Sequence, residues 1–285
     1  MKLEVRDGNF HYMKRRTKLP NLYAKNVNFT LQPGEILSIL GPNGAGKTTM
    51  LKCITGLLDW TEGETYVDDQ PMSSMKRKEL WKRIGYVPQA HKMTFGYKLL
   101  DLVIMGRAPY ISTLSQPSKN DTQAALEALD VVGIRHLAEK SCNEVSGGEL
   151  QLALIARTLV SDPEVLILDE PESHLDIQKQ IVILQTIRRL AKEKGISCII
   201  NTHYPNHAFY LADHVLMTGK DKGLVFGPTH EVMTEARMKH FFGIELKKII
   251  FEEDDLLLET MIPRALGLKR DISTCKFNEE LHPEE

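Results

Sequence analysis

Cysteine and long apolar runs are both scarce in this chain of 285 residues. Cys53, Cys142, Cys198 and Cys275 occur singly, which excludes a disulfide framework and favours reduced packing residues. No stretch approaches the roughly 18 apolar residues needed to cross a bilayer, and the amino terminus carries no apolar signal segment. We therefore expect a cytoplasmic chain that reaches a membrane only through a partner.

An excess of charge of either sign is also lacking. Lys and Arg together number 36 against 38 Asp and Glu, a balance that gives no indication of nucleic acid as a partner. Hydrophobic residues make up 42% of the chain, enough for a substantial core. We expect one composite domain over residues 1–244, with a helical subdomain at about 98–159. Residues 245–285 are expected to be a partly ordered C-terminal extension, to which the sequence assigns no role.

One segment matches the phosphate-loop pattern G-x-x-x-x-G-K-[ST]. Its glycines let successive backbone N–H groups surround a polyphosphate such as that of ATP, and the next helix adds its positive dipole end. The lysine would bind the terminal phosphates, and the threonine hydroxyl would bind Mg²⁺. An ordinary glycine turn is the alternative, but an aliphatic strand precedes the loop and an apolar-spaced helix follows it. The predicted nucleotide-binding residues are Gly41, Pro42, Asn43, Gly44, Ala45, Gly46, Lys47, Thr48 and Thr49.

Two carboxylates follow a second aliphatic strand. Asp169 and Glu170 come directly after four aliphatic residues, which suit a strand that is buried in a parallel sheet. Asp169 would hold Mg²⁺, and Glu170 would orient and polarise an attacking water. A strand that ends in a solvated acidic turn is the alternative, and the upstream phosphate loop favours the functional interpretation.

A second anion site is predicted at residues 146–149. Ser146 can cap a helix that begins near Glu149, while Gly147 and Gly148 leave room for a phosphate to approach the start of that helix. Alone, this pattern would indicate only a capped helix after a flexible turn. Together with the phosphate loop it gives the chain two anion sites but only one phosphate-binding lysine motif.

These motifs, with Gln89, the segment at 173–176 and His203 in this order, resemble the ATP-binding subunit of ABC transporters over roughly residues 3–243. The resemblance implies an α/β fold: a P-loop ABC ATPase core with a mainly parallel sheet, an antiparallel β subdomain and a helical subdomain. It also implies a head-to-tail homodimer, in which Ser146, Gly147, Gly148 and Glu149 of one copy close over the ATP held by Lys47 of the other.

The resemblance assigns further roles. Gln89 would contact Mg²⁺ and report the nucleotide state to a membrane partner, and His203 would contact the γ-phosphate and the attacking water. Tyr12 would stack on adenine, although packing in the core is a close alternative. The spacing of His203 and His207 also allows a metal pair, but no third ligand is evident. The catalytic set is thus Lys47, Gln89, Glu170 and His203, and the Mg²⁺ ligands are Thr48, Gln89 and Asp169.

Segments 101–110, 173–176 and 202–208 resemble the importers of iron chelates, haem or cobalamin, which have molybdate-type relatives. This implies that the chain powers the import of a metal chelate by ATP hydrolysis, with an iron-siderophore as the favoured solute. The chain would act as a homodimer bound to an integral membrane permease, at the cytoplasmic face of the membrane. An extracytoplasmic solute-binding protein would take part indirectly, and no nucleic acid is expected. The alternatives are another importer or an exporter, and a soluble ATPase acting on nucleic acid or ribosomes. Glu172 stands where Thr is common and adds a carboxylate beside the site.

Overall fold

The computed structural model describes residues 1–12, 21–90, 96–112, 115–220, 222–253 and 256–264. Residues 265–285 of the expected C-terminal extension therefore lie outside the described residues. In chain order the strands are β1 (Leu3–Tyr12), β2 (Asn21–Leu31), β3 (Ile36–Leu40), β4 (Glu62–Val67), β5 (Gln70–Pro71), β6 (Ile84–Val87), β7 (Val165–Asp169), β8 (Ser197–Thr202), β9 (His214–Thr218), β10 (Leu224–Pro228), β11 (Leu246–Glu253) and β12 (Leu256–Pro263). The α-helices are α1 (Lys47–Ile54), α2 (Arg77–Arg83), α3 (Leu99–Ile104), α4 (Lys119–Val131), α5 (Gly147–Leu159), α6 (Ile177–Lys194), α7 (Pro205–Leu211), α8 (Thr229–Val232) and α9 (Glu235–Phe242).

The central sheet has the strand order β10-β9-β3-β8-β7-β6, and its strands are parallel except for the edge strand β10. Strands β3 and β8 are buried along their whole length, because helices α5 and α6 cover one face and α1, together with the antiparallel strands β1 and β2, covers the other. Their aliphatic composition matches that environment. Since β3, β8 and β7 are neighbours and run in the same direction, the loops that follow them start side by side at one edge of the sheet.

An antiparallel sheet of order β2-β1-β4-β5 packs against α1 and the central sheet. Its inward side chains share a core with Met50 and Leu51 of α1 and with Leu37 and Ile39 of β3. The phosphate loop between β3 and α1 is therefore anchored by buried apolar contacts at both of its ends.

Helices α3, α4 and α5 form a helical region on the other side of the molecule. Leu129 and Val132 of this region are buried, and Leu126 packs against the same cluster. A capping box of Ser118 and Asp121 begins α4, and Asp121 also pairs with Arg107 at 3.0 Å. This region ends with α5, whose first turn carries the Ser-Gly-Gly segment.

Strands β11 and β12 form a hairpin that packs on α7 and α9. Leu246 and Met261 are buried in a cluster with Ala208 of α7 and Phe241 of α9. Asn206, in the first turn of α7, holds the second strand: its Nδ2 donates to Met261 O at 3.3 Å, and Met261 N donates to its Oδ1 at 2.8 Å. The start of the expected extension therefore forms a hairpin that is hydrogen-bonded to α7, the helix that follows β8.

We predict that Asn206→Ala loosens this hairpin. Two hydrogen bonds are lost, each with a net value of about 0.5–1.5 kcal/mol, so the amides of β11 and β12 should exchange with solvent roughly tenfold faster or more. Asn120→Ala, at an exposed position of α4, is the matched control and should leave these amides unchanged. Equal exchange in the Asn206 variant and the wild type would show that the two bonds do not hold the hairpin.

Candidate nucleotide site

The candidate site lies where β3, β7 and β8 end. Leu40 of β3 pairs with Thr202 of β8, and Asn201 of β8 pairs with Asp169 of β7. This register brings the phosphate loop, the carboxylates of Asp169 and Glu170, and the His203 turn to the same point. The carboxyl ends of neighbouring parallel strands are where such sheets bind ligands.

The backbone of the phosphate loop depends on its glycines. A Cβ on Gly41 would lie 2.4 Å from Thr218 O of the neighbouring strand, so only glycine fits there. Gly44 and Gly46 have positive φ angles of 76° and 88°. Gly46 is the N-cap of α1 and forms no side-chain cap, which leaves the first-turn amides, including those of Thr48 and Thr49, for an anion.

Lys47 is buried, with 5% of its surface exposed. Its Nζ donates to Gly41 O at 2.7 Å and to Pro42 O at 3.1 Å, which fixes the ammonium over the loop. Burial lowers the pKa of Lys47, and the charges of Glu170 and Asp169 act in the opposite direction. Of the remaining loop residues, Ala45 is buried and Asn43 is exposed.

His203 joins Lys47 to Glu170. Its Nδ1 lies 3.3 Å from Lys47 Nζ, and its Nε2 contacts Glu170 Oε1. Because an ammonium can only donate, Nδ1 accepts from Lys47 and the N–H at Nε2 donates to the carboxylate. Ser173 Oγ donates to the other carboxylate oxygen at 3.1 Å. Both oxygens of Glu170 are therefore oriented, and the lysine, imidazole and carboxylate form one connected chain.

Asp169 collects polar contacts from three elements. Its Oδ1 accepts from Thr48 Oγ1 at 3.2 Å and from Asn201 Nδ2 at 2.5 Å, and its Oδ2 accepts from Tyr86 OH at 3.0 Å. Burial raises the pKa of the Tyr86 phenol, and the charge of Asp169 adds to the effect. The adjacent Thr48 and Asp169 oxygens fit the preference of Mg²⁺ for hard oxygen ligands.

Asn201 and Tyr86 are site residues that sequence reasoning missed. Only their positions in the sequence could have indicated a role. Asn201 is a polar residue near the end of an apolar strand, and Tyr86 lies three residues before the predicted Gln89. Neither spacing reveals that strands β8 and β6 flank β7 on either side. Both contacts depend on strand order, which local sequence does not encode.

Two predicted site residues, Gln89 and Tyr12, form no hydrogen bond with this cluster in the part of the chain that the structure describes. Gln89 Nε2 lies 3.2 Å from His174 Nδ1, and among the described residues it forms no hydrogen bond with Thr48 or Asp169. Tyr12 ends β1, and its side chain lies outside the part of the chain that the structure describes.

The Ser146 turn is built as a capping box. Ser146 caps α5, Glu149 Oε2 accepts from Ser146 N at 2.6 Å, and this bond lowers the pKa of Glu149. The glycines also have a role within their own chain: a Cβ on Gly148 would lie 2.8 Å from Lys179 Cδ of α6. Within the described ranges, no hydrogen bond joins this turn to the phosphate loop of the same chain.

His203 and His207 contact different carboxylates. His203 contacts Glu170, whereas His207 Nδ1 lies 3.5 Å from Glu172 Oε1. No group of three His, Cys, Asp or Glu side chains with metal-binding geometry occurs in the described part of the chain. His203 thus contacts the phosphate-loop lysine and Glu170, whereas His207 faces Glu172.

The chain matches known proteins along most of its length. A family model described as ABC transporter matches residues 24–173. The molybdate import ATP-binding protein MolC of Haemophilus influenzae is 33% identical over 244 residues, which cover 86% of this chain and 89% of that relative. The petrobactin import ATP-binding protein FpuC of Bacillus anthracis is 33% identical over 245 residues, covering 86% and 90% of the two chains.

Solved structures agree with these sequence matches. A protein described as a metal-chelate type ABC transporter in an inward-facing conformation superposes with a TM-score of 0.81 and 31% identity, covering 92% of this chain and 97% of that one. A dimeric ATP-binding cassette with ADP and Pi has a TM-score of 0.66 and 27% identity, covering 80% and 98%. No helix in the described ranges combines the length and apolar character needed to cross a membrane. The fold prediction is confirmed, and the chain belongs to the ABC transporter family as an ATP-binding ATPase subunit.

Proposed function

We propose that this chain hydrolyses ATP to power the import of an iron chelate through a membrane permease, with an iron-siderophore as the favoured solute. The observation that carries the proposal is the chain of contacts from Lys47 through His203 to Glu170, at the ends of three parallel strands. It places a phosphate-binding cation, an imidazole and an oriented carboxylate next to one phosphate loop.

The residues divide the chemistry among them. The amides at the start of α1 and the Lys47 ammonium bind the phosphates, and Lys47 already lies over the loop. Thr48 and Asp169 would hold Mg²⁺, which neutralises phosphate charge when bound. Glu170 accepts a hydrogen bond from the attacking water and polarises it, while His203 orients that carboxylate and contacts the γ-phosphate. Gln89 is linked to these residues by its contact with His174, which lies four residues after Glu170.

A homodimer would complete the site. Ser146 caps the start of α5, an anion-binding element, and among the described residues no hydrogen bond joins it to the phosphate loop of its own chain. We propose that it closes over the ATP held by Lys47 of a second copy, with Gly147, Gly148 and Glu149 forming the same turn. The likeness to a dimeric cassette with ADP and Pi supports this arrangement.

A surface groove supports the permease as partner. It has a volume of about 590 Å³ and is lined by apolar side chains of the helical region, among them Ile104, Met105 and Ile111. Met105 is 43% exposed. We propose that a cytoplasmic helix of the permease occupies this groove, which would place the chain at the cytoplasmic face of the membrane. The solute-binding protein on the far side would act on it only through the permease.

The relatives support two candidates for the transported solute. The petrobactin importer subunit and the metal-chelate type transporter support an iron chelate. The molybdate importer subunit has the same 33% identity and makes molybdate the second candidate. Uptake assays with both solutes decide between them, because the permease and the binding protein select the solute.

We predict that Glu170→Gln retains ATP binding but lowers hydrolysis by about 10² to 10⁴-fold, because the amide keeps the shape without accepting a proton. The variant should accumulate as an ATP-bound dimer in light scattering.

Lys47→Ala should instead lose roughly tenfold or more in ATP affinity, since a charge-assisted contact of about 1.5–3 kcal/mol disappears. Glu193→Gln, at an exposed position of α6, is the control for both. Full turnover by the Glu170 variant would move the base role to another residue.

We predict that Gln89→Ala binds ATP normally but loses most of the stimulation of hydrolysis by permease and loaded binding protein. Coupling requires the partner to favour one nucleotide state, and Gln89 lies between the carboxylate segment and the helical region. The measurement is ATPase activity and iron-chelate uptake in reconstituted vesicles, with Gln185→Ala on the exposed side of α6 as control. Normal uptake by the Gln89 variant would contradict the coupling role, and wild-type vesicles that take up molybdate alone would contradict the substrate.

A further inference from the structure

Glu172 is a buried carboxylate with an incomplete set of partners. It lies two residues after Glu170, yet only 1% of its surface is exposed. Its Oε1 accepts a hydrogen bond from Thr202 Oγ1, whereas its Oε2 has no hydrogen-bond partner among the described residues. Because a buried carboxylate is costly to desolvate, its surroundings must stabilise it through the groups that it does contact.

The contact with Thr202 reaches the turn that carries His203. Thr202 is the last residue of β8, is 1% exposed and directly precedes His203. Its hydroxyl donates to Glu172 and accepts from Tyr204 N at 3.1 Å. The hydroxyl therefore ties together the residues on either side of His203 and fixes the backbone of this turn.

Other elements hold Glu172 in place. From α6, Gln180 Nε2 donates to Glu172 O at 3.3 Å and to Leu175 O at 3.1 Å. From α7, His207 Nδ1 lies 3.5 Å from Glu172 Oε1, and its ring packs on Tyr204 with a centroid distance of 4.7 Å. The carboxylate thus bridges the segment after β7 and the segment after β8, which carry Glu170 and His203.

We propose that Glu172 is a positioning residue for His203: through the Thr202 hydroxyl, its carboxylate fixes the turn that presents the imidazole to Lys47 and Glu170. The inference rests on the proposed ATPase function, because His203 matters to turnover only if it acts on the phosphate. A side chain that lacks an acceptor at position 172 would leave the Thr202 hydroxyl without its partner and would let the turn move.

The experiment compares variants that break the hydrogen bond with variants that keep it. Glu172→Leu and Thr202→Val remove one side of the bond, whereas Glu172→Gln keeps an acceptor oxygen and Thr202→Ser keeps the hydroxyl. We expect the first pair to lower kcat by about tenfold or more with the KM for ATP changed less than about twofold, and the second pair to stay near wild type. The double variant Glu172→Leu/Thr202→Val should be no slower than either single one.

Thr186→Val controls for general loss of a buried hydroxyl. Thr186 is 6% exposed, and its Oγ1 donates to Val182 O at 2.8 Å within α6. This variant should lose stability without losing kcat. A Glu172→Gln variant as slow as Glu172→Leu would show that the charge facing His207, and not the bond to Thr202, is what matters, and would overturn the proposal.

A second readout separates this inference from the function. In protein labelled with ¹⁵N at histidine, the ring resonances of His203, assigned with a His203→Gln variant, should move in Glu172→Leu and Thr202→Val but not in Thr186→Val. A wild type without ATPase activity would overturn the proposed function, while these resonances would still test the positioning. Unmoved His203 resonances in folded Glu172→Leu and Thr202→Val would overturn the inference.

Discussion

The whole site depends on the parallel alignment of β3, β8 and β7 in the middle of the sheet. Each strand is aliphatic and buried, so hydrophobic packing fixes the register in which Leu40 faces Thr202 and Asn201 faces Asp169. Groups far apart in sequence are thereby held within hydrogen-bonding distance of one another. A slip of one residue in β8 would turn every side chain of that strand to the opposite face of the sheet and would remove His203 from both of its partners.

Electrostatic interactions stabilise the charged groups of the site in a buried region that disfavours charge. Burial disfavours the ammonium of Lys47, and two backbone carbonyls together with the carboxylates of Glu170 and Asp169 offset part of that cost. The uncapped start of α1 adds positive potential without a mobile side chain. The start of α1 has no side-chain cap, so its first-turn amides can receive an anionic substrate. The three N–H groups of Lys47 instead contact Gly41 O, Pro42 O and His203, and the ammonium must turn from them to bind a phosphate.

The sequence alone was sufficient to predict the parts of the site that consist of consecutive residues. The phosphate loop, the acidic pair after an aliphatic strand and the Ser146 cap each consist of a few consecutive residues, and the structure forms all three as expected. Tyr86, Asn201 and the bond from Thr202 to Glu172 could not be derived, because they arise from which strands are neighbours. The hairpin at 246–263 was missed for a related reason: its strands are stabilised by packing on α7 and α9 and by Asn206, not by a local signal.

In the proposed dimer, the Ser146 turn of one copy completes the nucleotide site of the other. Its glycines pack on Lys179 and Leu175 of their own chain, while its capped helix start remains available to an anion. In this arrangement a second copy would supply that anion in the form of its bound ATP. Cross-linking of two different copies tests this claim, because Asn43 is exposed in the phosphate loop and Cys53, Cys142 and Cys198 are buried.

The measurement uses Glu170→Gln chains in which Cys275 is replaced by serine. One chain carries Asn43→Cys, the other carries Ser146→Cys, and a short bismaleimide is added with or without ATP. The account predicts a cross-linked dimer only in the mixture and only with ATP, since the two positions meet across copies. Cross-linking of either variant with itself to the same extent, or no cross-link in the mixture with ATP bound, would contradict the shared site.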